Sequence, residues 1–292
     1  MPSKDTLRRR AAHRAQDLAF QAILAAARTI PYERRVRAMG ALTARVIGPL
    51  TGYRRRAEDN LARVYPRMPT AERRRIATAV CDSFGRTLIE NYSATDLHAR
   101  LAETRPTGAG LDALARARAD GRPVLFVTGH FGNFEAPRHV LTAMGHEIGG
   151  LYRPLANPHS DAHYRTTMTA WGGPVFAQGA RGTMGFARHL KQGGMGTLLF
   201  DVHVEEGVPI PFLGHPAMTS LSAAEMALRF DAEMIPYFAR RRADGLGFDV
   251  EVEAPIARGT ALQMMQEATA RLEAQIARAP EQWFWVHRRW KP

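Results

Sequence analysis

A histidine and a glutamate, His130 and Glu135, stand five positions apart in the stretch VTGHFGNFEAPRHVL, Val127 to Leu141. On one straight helix, residues five apart point about 140° away from each other. This stretch does not read as one helix. His130 follows directly on the apolar run PVLFVT, Gly129 and Gly132 ease a turn, and Glu135 begins the next helical pattern. Broken by that turn, the chain can fold the two side chains toward each other. A carboxylate that accepts from one imidazole nitrogen leaves the other free as a base. The same pair also suits a purely structural contact, and the two residues alone do not decide between these.

Other chemistries find less support. There is no G-x-S-x-G elbow for a hydrolase nucleophile, no G-x-x-x-x-G-K loop for nucleotide phosphates and no H-E-x-x-H for zinc. The glycines of KQGGMGTLL precede a strand instead of following one, so a dinucleotide fingerprint fails on context. The single cysteine, Cys81, excludes a disulfide framework and reads as a small buried helix residue. His139, His146, His159, His163 and His189 read as surface or helix-end residues. No metal ligand set and no cofactor site is expected.

The elements that must position the pair follow from the rhythm of apolar residues. Up to about Arg105 the chain reads as helices with basic runs and without clear strands. PTGAG, Pro106 to Gly110, is a plausible boundary, giving a helical region 1–105 and a core 106–292. Strands are expected near Pro123–Thr128, Ile148–Tyr152, Thr197–Asp201, Met234–Ala239 and Phe248–Val252. Helices are expected near Leu111–Ala119, Phe134–Met144, Arg181–Gln192, Ser220–Phe230 and Leu262–Arg278. Such alternation predicts an α/β fold with a mostly parallel central sheet flanked by helices. Sites in such sheets form at the carboxyl ends of strands, where His130 stands.

Charge separates the two regions further. Of 40 Lys+Arg and 28 Asp+Glu in 292 residues, 21 and 10 fall in residues 1–105. The formal charge of +12 is therefore almost wholly N-terminal. A basic patch can serve nucleic acid, an anionic membrane or an acidic protein. Runs such as Arg54–Arg56 and Arg73–Arg75 are not interleaved with aromatics, and no nucleic-acid-binding signature accompanies them, so a nucleic-acid binder is the weaker class. The N-terminus does not read as a cleavable signal. LAFQAILAAA, Leu18 to Ala27, is half the length of about 20 residues needed to span a bilayer. It suits a helix in the interface, with Leu18, Phe20, Ile23, Leu24 and Ala27 on one face. A second amphipathic stretch from Pro31 gathers Val36, Met39, Val46, Ile47 and Leu50, with Arg34, Arg35, Arg37 and Arg45 around the other side.

The closing segment PEQWFWVHRRWKP, taken with GHFGNFE, LYRPLANP, the Arg165 to Gly172 stretch and IPFLG, resembles the lauroyl/myristoyl lipid A biosynthesis acyltransferases of the lysophospholipid acyltransferase superfamily. The resemblance spans nearly all of the chain. It implies a glycerol-3-phosphate acyltransferase-like fold and a peripheral or monotopic enzyme on the cytoplasmic face of a Gram-negative inner membrane. Such an enzyme moves a fatty acyl chain from acyl carrier protein or acyl-CoA to a hydroxyl of a lipid acceptor, without a cofactor. An acceptor hydroxyl must lose its proton as it attacks the thioester. The resemblance makes His130 the base and Glu135 the group that fixes its tautomer. The oxyanion would be met by backbone N–H groups or a nearby arginine.

Further roles are implied with it. Arg165 falls near the reacting centre or the acceptor's anionic head. Asn133 holds the turn or lines the site, Arg153 meets a phosphate or caps the sheet, and Asp201 has a polar role at the catalytic edge. Trp283, Trp285, His287, Arg288, Arg289 and Trp290 are expected to pack and to anchor the protein at a membrane boundary. Where the family usually has Trp this chain has Phe134, and where it has Asp-Gln this chain has Asp201-Val202. These departures leave a second acceptor in view, an aminolipid precursor.

Overall fold

The computed structural model describes residues 4–291. In chain order the helices are α1 (Lys4–Arg28), α2 (Tyr32–Leu42), α3 (Gly48–Leu50), α4 (Tyr53–Val64), α5 (Thr70–Asn91), α6 (Ala94–Leu101), α7 (Gly110–Ala119), α8 (Ala136–Ala143), α9 (Pro158–Thr169), α10 (Ala180–Lys191), α11 (Ser222–Arg229) and α12 (Ala261–Arg278). The strands are β1 (Val124–Thr128), β2 (Ile148–Tyr152), β3 (Val175–Ala177), β4 (Met195–Leu199), β5 (Val208–Phe212), β6 (His215–Thr219), β7 (Glu233–Arg241) and β8 (Phe248–Val252). Six of them form one sheet in the order β3-β2-β4-β1-β7-β8, parallel except for the β7–β8 pair at one edge.

β1 carries no polar alternation because both of its faces are covered, and all five of its residues are buried. Its side chains divide between two apolar clusters. Leu125 and Val127 join Met234 and Phe238 of β7, Met265 and Leu272 of α12, Leu61 of α4 and Val80 of α5. Val124 and Phe126 face the opposite way, against Leu114 and Ala117 of α7 and Leu141 of α8. The N-terminal helices thus supply part of the sheet's own core. α12 is fixed at its start by a capping box between Thr260 and Gln263.

The expected strands and helices are present, with β3, β5, β6 and α9 in addition. β5 and β6 form a separate antiparallel hairpin, VPIPF against HPAMT, whose prolines disguise it in the sequence. Pro209, Pro211 and Pro216 are exposed, and Pro211 stands opposite Pro216 with Pro209 two residues along, so all three fall at pairs where the partner strand needs no N–H.

The N-terminal apolar faces split. Leu24 and Val36 are buried against Ile89, Tyr92 and Leu246, with Phe20, Ala27 and Met39 packed at the margin. Leu18, Ile23, Val46 and Leu50 are instead 55%, 59%, 44% and 82% exposed. Among the described residues no helix is long and apolar enough to cross a membrane.

Candidate active site

β1 and β4 are neighbours in register, Thr128 opposite Leu199. From β1 the chain continues to β2 on one side of this pair; from β4 it continues, through the β5–β6 hairpin, to β7 on the other. Their carboxyl ends therefore flank a switch point, the place where open parallel sheets leave a crevice. Two residues beyond Thr128 stands His130, and two beyond Leu199 stands Asp201. Parallel register brings them together: His130 Nδ1 and Asp201 Oδ1 lie 2.8 Å apart, and the His130 backbone N–H donates to Asp201 Oδ2, also at 2.8 Å.

The carboxylate on His130 is thus that of Asp201, 71 residues along the chain, and not that of Glu135. Glu135 occupies the N-cap position of α8 and lies beneath the turn, its Oε2 without a hydrogen-bond partner and 3.8 Å from the Arg138 guanidinium. Burial raises the Glu135 carboxyl, with Arg138 and His130 opposing. Asp201 shows the reverse balance. Burial alone would raise it, but the adjacent His130, its two N–H bonds and, farther off, His287 hold the carboxyl well below the usual carboxylate range. A third donor, Trp283 Nε1, reaches Asp201 Oδ2 at 2.9 Å.

Asn133 is buried and its amide is committed to the protein. Nδ2 donates to Glu90, and Oδ1 accepts from the Glu135 N–H just before α8. It holds the turn, the first of its two expected roles, and it is not among the residues that line the cavity described below. Glu90 in turn takes both guanidinium arms of Arg241, so α5, the turn and β7 are tied by one buried network. Arg153 and Arg165 are exposed, on the segment after β2 and on α9, and neither lines the cavity described below. His139 and His146, expected as surface or helix-end residues, are both buried; His146 does stand just past the end of α8, its N–H on Leu141 O, whereas His139 sits inside α8 between His98 and Trp171. Cys81 is buried within α5, as its type suggested.

The last residues of the chain complete the site. Phe284 N–H donates to His130 O, and Gly132 N–H donates to Gln282 O, an antiparallel clip onto the turn after β1. Gly132 lies at φ +55°, and a Cβ there would meet Ala239 O of β7 at 1.9 Å. Trp283, Trp285 and Trp290 are buried, so the expectation of membrane anchoring by these three is corrected. The clip also sets the His287 ring 4.7 Å from that of His130, nearly perpendicular to it. Trp283 and His287 stood in the sequence as part of a terminal motif; only the fold reveals that they adjoin Asp201 and His130.

His130 opens onto a cavity of about 410 Å³. Its walls are mostly apolar and aromatic, with Val80, Phe84 and Leu88 from α5, Tyr53, Phe134, Leu155 and Phe284. Phe134 packs edge-on to the His130 ring at 5.1 Å. Such a chamber suits a hydrocarbon chain whose reactive head rests at the imidazole.

Residues 3–292 match a family model described as bacterial lipid A biosynthesis acyltransferase. A lipid A biosynthesis acyltransferase of Haemophilus influenzae is 23% identical over 260 residues, 88% of this chain and 81% of that protein. The lipid A biosynthesis lauroyltransferase of Escherichia coli is 27% identical over 245 residues, 80% of this chain and 77% of its own length.

Proposed function

For this chain, which belongs to the bacterial lipid A biosynthesis acyltransferase family, we propose O-acylation of a lipid A precursor hydroxyl by a fatty acyl thioester, with His130 as general base. The protein is an acyltransferase. The observation that carries the mechanism is the His130–Asp201 pair opening onto an apolar chamber. With Nδ1 held by Asp201, the Nε2 of His130 takes the proton of the acceptor hydroxyl as its oxygen attacks the thioester carbonyl. The tetrahedral intermediate collapses, the C–S bond breaks, and the imidazolium returns the proton to the leaving thiolate. Asp201, kept ionised, fixes the tautomer and stabilises the imidazolium while it lasts. No acyl-enzyme is needed, in keeping with the absence of a serine elbow.

The donor is acyl carrier protein or CoA, and the reaction takes place at the cytoplasmic face of the inner membrane. Leu18, Ile23, Val46 and Leu50, exposed in a strongly basic region, support peripheral contact with an anionic surface. Mass spectrometry of lipids from cells with and without the gene tests the acceptor. Loss of one acyl chain from lipid A, not restored by His130→Ala, is the expected result. Unchanged lipid A beside a missing diacyl aminolipid would move the activity to the second acceptor.

A further inference from the structure

We infer that His287 is a second catalytic imidazole, donating an N–H to the oxyanion of the tetrahedral intermediate; the inference rests on the acyl-transfer reading above. Charge that develops on the carbonyl oxygen needs a donor already aimed at it. The sequence offered backbone N–H groups or an arginine for this. Among the described residues that line the cavity there is no Lys or Arg, and the backbone N–H groups of His130, Phe131, Gly132 and Glu135 already donate to Asp201, Gly129 O, Gln282 O and Asn133 Oδ1. Several other donors in the wall are already occupied. Thr87 Oγ1 donates to Gly132 O and the Gln282 amide donates to Arg241 O. The ring beside His130 is that of His287, which lines the same cavity.

The state of that ring follows from its surroundings. Nε2 is enclosed and has no hydrogen-bond partner, and among the described residues Nδ1 has none either. An N–H on the enclosed Nε2 would have no partner, whereas one on the accessible Nδ1 can find one in the cavity. We therefore assign the proton to Nδ1. Burial, His130 and Arg289, against the pull of Asp201, bring the His287 imidazole down to about 4, so it stays neutral where His130 works. A neutral imidazole cannot compete with His130 for the Asp201 carboxylate as a cation would, yet it keeps one N–H to give. The Phe284 ring, edge-on at 4.6 Å, and the clip of residues 282–284 onto the turn hold it in place. Donor rigidity of this kind is what oxyanion stabilisation requires.

The test compares His287→Leu, His287→Asn and His287→Gln with His130→Ala, using lauroyl-acyl carrier protein and lauroyl-CoA as donors and an under-acylated lipid A precursor as acceptor. His287→Leu should lower kcat by about 10²–10³-fold while the KM for each substrate moves by less than about threefold. His287→Asn, whose amide N–H lies near the Nδ1 position, should recover to within about tenfold of the parent. His287→Gln, whose amide reaches the Nε2 position, should not. His287→Leu within about threefold of the parent, or a change in KM alone, overturns the inference. So does an Asn variant that is as slow as Leu while unfolding at the parent temperature. If the Leu variant does not fold, the Asn and Gln pair carries the same comparison. An active His130→Ala sinks the general-base reading beneath, whereas an inactive His130→Ala beside an active His287→Leu sinks this inference alone.

Discussion

At the scale of single residues, the site turns on which carboxylate serves His130. Asp201 receives three N–H donors: the His130 ring, the His130 backbone and Trp283. Asp201→Asn would place an amide NH₂ against at least one of them, displacing the ring or forcing the other tautomer. We expect kcat to fall by about 10³–10⁴-fold with little change in KM, measured by thiol release. Glu135→Gln removes a charge that burial already disfavours and breaks no hydrogen bond to His130, so kcat should stay within about tenfold. Equal losses in the two variants would refute the assignment. His130 was legible in sequence because a strand, two glycines and a helix start surround it. In the sequence the orienting role falls to Glu135, which is near in the chain and matches a family motif. Asp201 was legible as a polar residue at the same sheet edge. Its pairing was not, since only the β1–β4 register brings residues 71 apart into contact.

At the scale of elements, the turn between β1 and α8 is held from three directions. Thr87 of α5 donates to Gly132 O, Gln282 O accepts the Gly132 N–H, and β7 passes so close that Gly132 has no room for a side chain. Gly132→Ala adds a left-handed non-glycine residue and a clash with a backbone carbonyl that cannot rotate away. It should cost at least about 2 kcal/mol in denaturant unfolding and displace His130 from Asp201. A variant as stable and active as the parent would show that the turn has another way to settle. The main strands were readable because continuous apolar runs are what a doubly covered parallel sheet demands. β4 begins two residues earlier than its pattern suggested, at Met195–Gly196, where glycine weakens the strand signal. That glycine is required by packing: a Cβ there would meet the Phe186 ring of α10 at 2.5 Å. The β5–β6 hairpin was hidden by its prolines, and the C-terminal clip has no local signal at all, because its partners lie some 150 residues upstream.

At the scale of the whole molecule, two fields act on the fold, one from its surface charge and one from its buried imidazoles. The basic N-terminal third with its exposed Leu18, Ile23, Val46 and Leu50 should bind anionic vesicles and release them as salt rises, by about 1 kcal/mol for each Lys or Arg near the surface at low salt. Equal binding to neutral vesicles in a co-sedimentation assay would rule out the electrostatic part. The imidazoles make stability depend on pH. His139 is buried with neither ring nitrogen partnered, and burial, then His98 and Arg138, push it down to about 3; His287 stands at about 4. In the unfolded chain each titrates near 6.5. As pH falls from there toward 4, the unfolded state takes up protons that the native state refuses, so stability declines, each group adding a slope of up to about 1.4 kcal/mol per pH unit. Asp201, depressed in the fold, adds its own loss only as pH drops below the ordinary carboxylate range. Glu135, raised in the fold, has the opposite sign: the native state gains its proton first, which offsets part of the decline near the lower end of the window. His146 is lowered too, by burial and then by Arg118. Urea unfolding at closely spaced pH values between 7.5 and 4.5 should therefore give a midpoint that falls with acid, and His139→Leu, which removes one of three depressed histidines, should make that slope measurably shallower. A midpoint independent of pH in the parent, or a slope untouched by His139→Leu, would mean that the fold opens to protonate these rings before it unfolds.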